Sequence, residues 1–524
     1  MGLIMKRRTA LALLAAAPAA PALRAFAQGT AGAGLTYGMS TGVVTLDPVH
    51  GSYTGYPGGS EAALCVYDGL LTFAPDMKIV PQLAESWSMA DDLRSCTLKL
   101  RSGARFHDGT PVDPAAVRLN IERLMDKQRN PTNRPLWDPV AGVETPDANT
   151  IVLRLSQPFP QLANSLAHVS GALVSPAAIE KYGDTGIAKN PVGAGPYRVV
   201  SFDPGQQLVL EAFDGYWGGK AKTTKLTLKT IADPSTRIAA LRTSAADIVD
   251  SVPVALTAQL KQDPEVTLIA TPGLRPIGFV INLTRPDLSD LRVRQALNLA
   301  IPVETIANKV FFGHARAPDS PLAFNTEGYA SVSKLVHDPA KAKALLTEAG
   351  FTSEKPLELA MFVSQGLFPG DVSVGEIVAN ALTQVGVKVA ITKIEAGSYW
   401  DAMRQDQANI KWDIAMFGFN PANASGLYHL ASLFKSNKDD TARPDVWNLG
   451  RYRNPEVDRL LAEAGSEPDR AKASADIAKA QALIWNDDPY IWLQINENIS
   501  AVRKAVTGVE VWPVLFTNVR HAAV

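Results

Sequence analysis

Four prolines that each follow an aspartate or an asparagine mark helix starts at widely spaced points of the chain. The pairs are Asp113-Pro114, Asp233-Pro234, Asp338-Pro339 and Asn454-Pro455. The Asp or Asn side chain accepts hydrogen bonds from free N–H groups of the first turn, and Pro fits the first helical position because no N–H is needed there. Two of the predicted helices are followed by a glycine that can end a helix, Gly350 and Gly465.

Strand patterns occur between these helices. Polar and apolar residues alternate in segments 97–101 and 225–229, which is typical of half-buried strands. Segment 373–394 reads as a helix, then Gly386, then a strand with Val and Ile at alternate positions. Helices and strands therefore share the chain, which predicts a mixed α/β fold. Its 524 residues contain no repeat beyond the N-terminus, and this length predicts two or three domains.

The first 27 residues have the three parts of a secretory signal peptide. A basic run at 6–8 precedes an uncharged stretch at 10–23, and Ala25-Phe26-Ala27 resembles a cleavage site. The uncharged stretch is too short to remain as a membrane anchor, and no later stretch is apolar enough to span. No cysteine follows the cleavage site, so we predict export without a lipoprotein anchor. The Arg7-Arg8 pair leaves twin-arginine export open beside the ordinary secretory route.

Charge and cysteine content narrow the function classes. The formal net charge is −1, which argues against a nucleic-acid-binding surface. Export permits a disulfide, but Cys65 lies in an apolar helical run and Cys96 opens an alternating strand. The sequence leaves one disulfide and two buried thiols equally open. The seven histidines and two cysteines show no metal-ligand spacing, so neither a metal nor another cofactor is predicted.

Three segments carry a family resemblance. Segment 79–125 begins IVPQLAESW and ends AAVRLNIERLM, segment 191–250 begins PVGAGPYRVV, and segment 291–301 reads LRVRQALNLAI. In this order and spacing they resemble hallmark blocks of the peptide/nickel-type, family 5 solute-binding proteins of ABC importers. The resemblance covers essentially the whole chain after the signal peptide. Departures at Ala194, at 244–246 and at Pro302 affect local turns only.

The resemblance implies an α/β, two-lobed periplasmic-binding-protein fold, type II, of the large cluster C. Lobe I would comprise 28–277 and 487–524, with an extra subdomain at about 60–184, and lobe II would comprise 278–486. The chain would cross the hinge near 279–282 and 492–494. The implied protein is a periplasmic monomer that captures a small molecule between its lobes and delivers it to the permease and ATPase subunits of an importer.

Two other functions are considered from the sequence. Segment 38–42 reads GMSTG and matches the G-x-S-x-G pattern of hydrolases, with Ser40 as nucleophile. That pattern requires a strand before it and a helix after it, and VVTLDP is not a helix start. We therefore predict a loop there, no catalytic residue and no enzyme activity, with a periplasmic hydrolase as the alternative. A binding protein that serves chemoreception would have the same sequence features.

The candidate ligand site is implied by two branches of the family. Peptide-binding relatives hold the free α-ammonium with an acid after a Gly-aromatic pair, and the matching segment 417–429 contains no acid. Amides suit neutral polar groups instead. The residues predicted to line the cleft from this segment are Phe419, Asn420, Asn423, Tyr428 and His429.

An anion anchor is implied by the nickel-chelate branch. Arg134 and Trp137 are similar to its Arg-x-x-Trp, in which the arginine faces a carboxylate and the tryptophan lines the cleft. Tyr53 matches a cleft tyrosine, and His168 stands where that branch has a second cleft arginine. Peptide-like, opine-like, glutathione-like and metal-chelate ligands all stay open. A surface role for Arg134 and a packing role for Tyr428 and His429 stay open as well.

Overall fold

The computed structural model describes residues 34–49, 57–126, 134–444 and 446–524. Its strands are β1 (Leu35–Met39), β2 (Leu71–Phe73), β3 (Ile79–Pro81), β4 (Ala84–Met89), β5 (Ser95–Leu100), β6 (Val140–Asp147), β7 (Thr150–Leu155), β8 (Tyr197–Asp203), β9 (Gln207–Ala212), β10 (Lys225–Thr230), β11 (Ile248–Val249), β12 (Val266–Ile281), β13 (Ala315–Arg316), β14 (Glu358–Gln365), β15 (Lys388–Glu395), β16 (Ile414–Gly418), β17 (Tyr490–Arg503), β18 (Glu510–Val511) and β19 (Thr517–Asn518).

The α-helices within these described ranges are α1 (Pro57–Val66), α2 (Pro114–Met125), α3 (Leu162–Ala167), α4 (Pro176–Ile187), α5 (Pro234–Arg242), α6 (Thr257–Lys261), α7 (Pro286–Ser289), α8 (Leu291–Leu299), α9 (Val303–Lys309), α10 (Pro339–Glu348), α11 (Asp371–Gln384), α12 (Ala396–Met403), α13 (Gly426–Phe434), α14 (Pro455–Ala464) and α15 (Arg470–Asp487). None of them is long and apolar enough to cross a membrane.

The predicted helix starts are confirmed by their capping hydrogen bonds. The side chains of Asp113, Asp233, Asp338 and Asn454 each accept a bond from a backbone N–H of the first turn of α2, α5, α10 and α14. Gly350 follows α10 with a φ of +92°, a conformation that glycine adopts without steric cost. Gly465 also ends its helix, as predicted, with a right-handed φ of −70°.

The largest sheet contains strands from the N-terminal, middle and C-terminal parts of the described chain. Its order is β15-β14-β16-β12-β17-β11-β1-β10-β9-β8, with β13 paired beside β17. The strands β14, β15 and β16 are parallel, whereas β12 and β17 form a long antiparallel pair in the middle. Pairing of β12 with β17 is interrupted between Pro272 and Pro276. A mixed α/β fold is therefore confirmed.

A second, four-stranded antiparallel sheet has the order β4-β5-β7-β6. It lies within the segment predicted as the extra subdomain, and its status as a separate unit stays a prediction, as do the lobe boundaries. Cys96 lies in this sheet and Cys65 in α1, and both are buried free thiols. Burial raises the pKa of each thiol to about 12.

A buried ion pair ties the C-terminal segment to the N-terminal part of the chain. Arg520 Nη2 lies 2.8 Å from Asp68 Oδ1, and the two side chains are 7% and 0% exposed. Trp217 and Gln82 donate further hydrogen bonds to the same carboxylate, at 2.7 and 2.6 Å. The carboxylate therefore holds together three segments that are distant in sequence.

Candidate functional site

The loop that follows β16 and the start of α13 carry five of the nine predicted ligand residues. Because β14 and β16 are parallel, their carboxyl ends meet at one edge of the sheet, which is where ligands bind in open α/β sheets. A small enclosed cavity lies next to this edge, with room for about one water molecule. Its lining includes Pro276, Ile277, Phe417, Phe419, His429 and Trp492.

The structure brings three of the five residues predicted from segment 417–429, Phe419, Tyr428 and His429, into contact. The Ser425 side chain accepts a bond from the backbone N–H of Tyr428 and so caps α13. This places Tyr428 and His429 in the first turns of that helix, beside Phe419. The ring centres of Phe419 and His429 are 5.6 Å apart in an edge-to-face arrangement, and those of Phe419 and Tyr428 are 6.1 Å apart.

Several neutral polar atoms of the cavity lining lack a hydrogen-bond partner within the described protein, namely both ring nitrogens of His429, Tyr490 Oη and Trp492 Nε1. Asn420 Oδ1 and Asn423 Nδ2, in the loop after β16, lack one as well. Burial lowers the pKa of His429 to about 3, so its ring is neutral near pH 7. Unpaired buried polar groups are costly, and a concentration of them is typical of a site that binds another molecule.

The same loop also touches residues of predicted lobe I. Asn420 Nδ2 donates to the Val514 carbonyl at 2.9 Å, and Asn164 Nδ2 donates to the Asn423 carbonyl at 3.0 Å. Asn164 belongs to α3, and Val514 lies in the C-terminal segment. The loop therefore lies between elements from both predicted lobes.

Trp137 and His168 form a second group, which lies in a hydrophobic core. Trp137 is 1% exposed, and its Nε1 donates to Ser170 Oγ at 3.2 Å. His168 Nδ1 accepts the Ser170 backbone N–H at 3.2 Å and so caps the short helical turn Val169–Gly171. These contacts give both residues a packing role.

Arg134 lies in a different setting from either group. It begins the helical turn Arg134–Leu136, and its Nε donates to Asp138 Oδ1 at 2.8 Å. The side chain is 28% exposed, so water also reaches the guanidinium. The charge of Arg134 therefore has both a carboxylate partner and partial hydration. A ligand carboxylate would have to compete with Asp138. Tyr53 lies outside the described residues.

The setting of His168 leads to a prediction about acid stability. Burial lowers the pKa of His168 to about 4. A lowered folded-state pKa means that the unfolded chain binds the proton first, so stability falls as the pH drops from about 6.5 toward 4. At pH 5 this loss is about 2 kcal/mol relative to pH 7.

In His168→Asn the amide oxygen replaces Nδ1 as the cap acceptor and does not titrate. Urea unfolding at pH 7 and pH 5 should therefore show a smaller acid-induced loss in the variant. His337 is exposed, and His337→Asn is the matched control, which should retain the parent slope. An equal loss in His168→Asn and in the parent would contradict the prediction.

Ser40 lies in the loop directly after β1, as predicted. Its Oγ donates to Asp250 Oδ2 at 2.7 Å, and its backbone N–H donates to Asp250 Oδ1 at 2.7 Å. Arg237 lies 3.5 Å from the same carboxylate. Among the described residues no histidine is hydrogen-bonded to Ser40, so the described surroundings contain no general base of the hydrolase type.

Three residues of this region were missed from the sequence. Tyr490 and Trp492 lie at the start of β17 and line the cavity, and Arg275 lies on β12 directly before the lining residue Pro276. The sequence signal for Arg275 is a single cation in the otherwise uncharged run 271–281.

Among residues 34–49, 57–126, 134–444 and 446–524, no group of three or more His, Cys, Asp or Glu side chains is placed to hold a metal ion.

The fold is that of a two-lobed α/β solute-binding protein. The family model of bacterial extracellular solute-binding proteins, family 5, matches residues 78–441. The glutathione-binding protein GsiB of Pectobacterium atrosepticum is 32% identical over 451 residues, which are 85% of this chain and 86% of that protein. The chain belongs to family 5 of the bacterial extracellular solute-binding proteins.

Two solved structures share this fold. NikZ from Campylobacter jejuni, in complex with Ni(L-His), superposes with a TM-score of 0.79 at 22% identity. The superposition covers 94% of this chain and 99% of the NikZ chain. MoaA from A. tumefaciens R10, in complex with mannopinic acid, gives a TM-score of 0.78 at 25% identity, with 93% and 98% covered. Members of this family are solute-binding components of ABC importers, and they are transport binding proteins rather than enzymes.

Proposed function

We propose that this protein captures a small peptide-like or conjugated amino-acid solute between its lobes and delivers it to an importer permease. The observation that carries the proposal is the set of unpaired neutral polar atoms at the carboxyl edge of β14 and β16. Elements of both predicted lobes meet there, so a bound solute contacts both. Capture proceeds without chemical change of the solute, and the protein acts as a periplasmic monomer.

The relatives support a ligand of this class. GsiB carries glutathione in its name, and the MoaA structure contains mannopinic acid. An acid-free segment 417–429 favours a ligand whose amine is blocked or is not the main point of attachment. We propose that the cleft residues are Phe419, Asn420, Asn423, Tyr428 and His429, whereas Arg134, Trp137, His168 and Tyr53 stay predictions from the family pattern.

Closure of the lobes is the measurable consequence of this proposal. A solute that contacts both lobes binds the closed arrangement more tightly and shifts the population toward it. The radius of gyration from small-angle X-ray scattering should therefore fall when the protein is saturated with a bound solute. We expect this with glutathione or mannopinic acid as first probes, or with the solute that native mass spectrometry finds on the purified protein.

Sodium sulfate at the same ionic strength is the control for charge screening and should leave the radius unchanged. A solute that raises the melting temperature by mass action without changing the radius would contradict capture by closure. A protein that neither binds nor closes on any of these probes would contradict the proposed function.

A further inference from the structure

Arg275 lies at the point where the long pair of strands β12 and β17 is interrupted. Residues 266–272 and 276–280 of β12 pair with β17, and Arg275 lies between these two paired stretches. Its guanidinium carbon is 5.2 Å from the ring centre of Phe368, in the loop after β14. A Cβ atom on Gly418 would lie 3.4 Å from Arg275 Cδ, so the arginine passes directly over the end of β16.

This arginine is next to the cavity on two sides. Pro276, which follows it in the chain, lines the cavity. Gly418, which its side chain crosses, stands between the lining residues Phe417 and Phe419. The carboxyl edge of β14 and β16 therefore brings a cation, Arg275, close to the neutral polar atoms of His429, Tyr490 and Trp492.

No carboxylate of the described residues lies within ion-pair distance of Arg275, and it makes no hydrogen bond to any of them. The sequence outside the described ranges contains a single acidic residue, Asp445. Burial lowers the pKa of Arg275 to about 10, so the group is still charged near pH 7. A half-buried charge without a partner is unfavourable, and an anion supplied by a solute removes this penalty.

Arg285 is a nearby arginine with a structural role, and its contacts can be compared with those of Arg275. It follows the end of β12 and is 27% exposed. Its guanidinium binds Asp413 and Asp287 and donates to the Glu358 carbonyl at 2.7 Å. Two arginines at opposite ends of β16 thus differ in their partners: Arg285 has carboxylate and carbonyl partners, and Arg275 has none among the described residues.

We propose that Arg275 is the anion anchor of the cleft and that the solute is an organic carboxylate held through its carboxyl group rather than through an ammonium group. The inference rests on the proposed function, since it names the chemistry of the same site. A planar guanidinium pairs with a carboxylate through two parallel hydrogen bonds. The remaining unpaired atoms are neutral donors and acceptors, which match hydroxyl and amide groups rather than an ammonium group.

The test compares Arg275→Met with Arg285→Met by titration calorimetry and thermal unfolding. The probes are glutathione, mannopinic acid and an N-acetylated dipeptide, each with its carboxyl-amidated form. For each acid that binds the parent, Arg275→Met should weaken binding about 100- to 1000-fold, and amidation of the probe should weaken parent binding similarly. Arg275→Lys retains the charge but not the fork and should bind with an intermediate affinity.

Without ligand, the two variants should differ in thermal stability, and the variant that loses affinity should be the more stable one. Arg275→Met should unfold at or above the parent temperature, because it removes a charge without a partner. Arg285→Met should unfold at a lower temperature, because it leaves Asp413 unpaired, and it should bind the acid like the parent.

Three results would overturn the inference. If Arg275→Met binds the acids as tightly as the parent, Arg275 is not the anchor. The same conclusion follows if only Arg134→Met loses affinity for the acids. If the parent binds the amidated probes as tightly as the acids, the carboxylate is not the group that the site recognises. None of these three results contradicts solute capture itself. If no probe, acid or amidated, binds the parent or closes it in scattering, the proposed function falls with the inference.

Discussion

Asp68→Asn is expected to lower the free energy of unfolding by about 3–5 kcal/mol near pH 7. Asp68 and Arg520 are both buried, and their charged atoms are 2.8 Å apart. Asparagine keeps the shape of the side chain but leaves the Arg520 guanidinium as an uncompensated buried charge. Urea unfolding followed by circular dichroism measures the change.

The hydrogen bonds around Asp68 make the expected loss larger than that of an ordinary ion pair. Arg520 also donates to Tyr216 Oη at 2.7 Å, and Trp217 donates to the second oxygen of Asp68. Burial raises the pKa of the Asp68 carboxyl, and the pairing with Arg520 and the bonds from Trp217 and Tyr216 oppose that rise. Loss of the carboxylate therefore disturbs a network rather than one contact.

Glu211→Gln is the matched control for an exposed pair. Glu211 lies 2.6 Å from Arg198, and these side chains are 44% and 52% exposed. Pairs of this kind contribute about 0–1 kcal/mol, because water and salt screen both charges. If Asp68→Asn destabilises the protein no more than Glu211→Gln does, the buried pair does not hold the C-terminal segment in place.

Local signals explain what the sequence predicted well. A helix cap needs a side chain and the backbone N–H groups two or three residues later, so all four Asp-Pro and Asn-Pro starts could be recognised from neighbours in the chain. The placement of the candidate residues of segment 417–429 was predictable for a similar reason. They follow one strand and enter one helix, and the family pattern marks that position.

Contacts between distant segments explain what the sequence could not provide. The absence of a partner for Arg275 depends on how β12 meets β17 and β16, segments that are more than 100 residues away. The Asp68–Arg520 pair joins residues 452 positions apart. Arg134 is a different case, since Asp138 four residues later is a local signal for an ion pair on a helical turn.

Trp137→Ala should lower the free energy of unfolding by about 3–5 kcal/mol, the usual loss for removal of a large buried ring. Trp137 is 1% exposed, and a Cβ atom on Gly171 would lie 3.2 Å from its ring. The cavity left by alanine is enclosed by residues of one hydrophobic core, including Leu136 and Leu166. The protein should remain folded at 25 °C if its total stability is typical of a globular domain.

The contrast between stability and affinity distinguishes a core tryptophan from a cleft tryptophan. As a core residue, Trp137 should affect unfolding strongly and solute affinity weakly when both are measured on folded protein. Trp137→Phe retains most of the buried ring but loses the indole hydrogen bond to Ser170, and it should cost about 1–2 kcal/mol. If Trp137→Ala instead unfolds like the parent and loses affinity in calorimetry, the tryptophan lines the cleft, as the family pattern predicted.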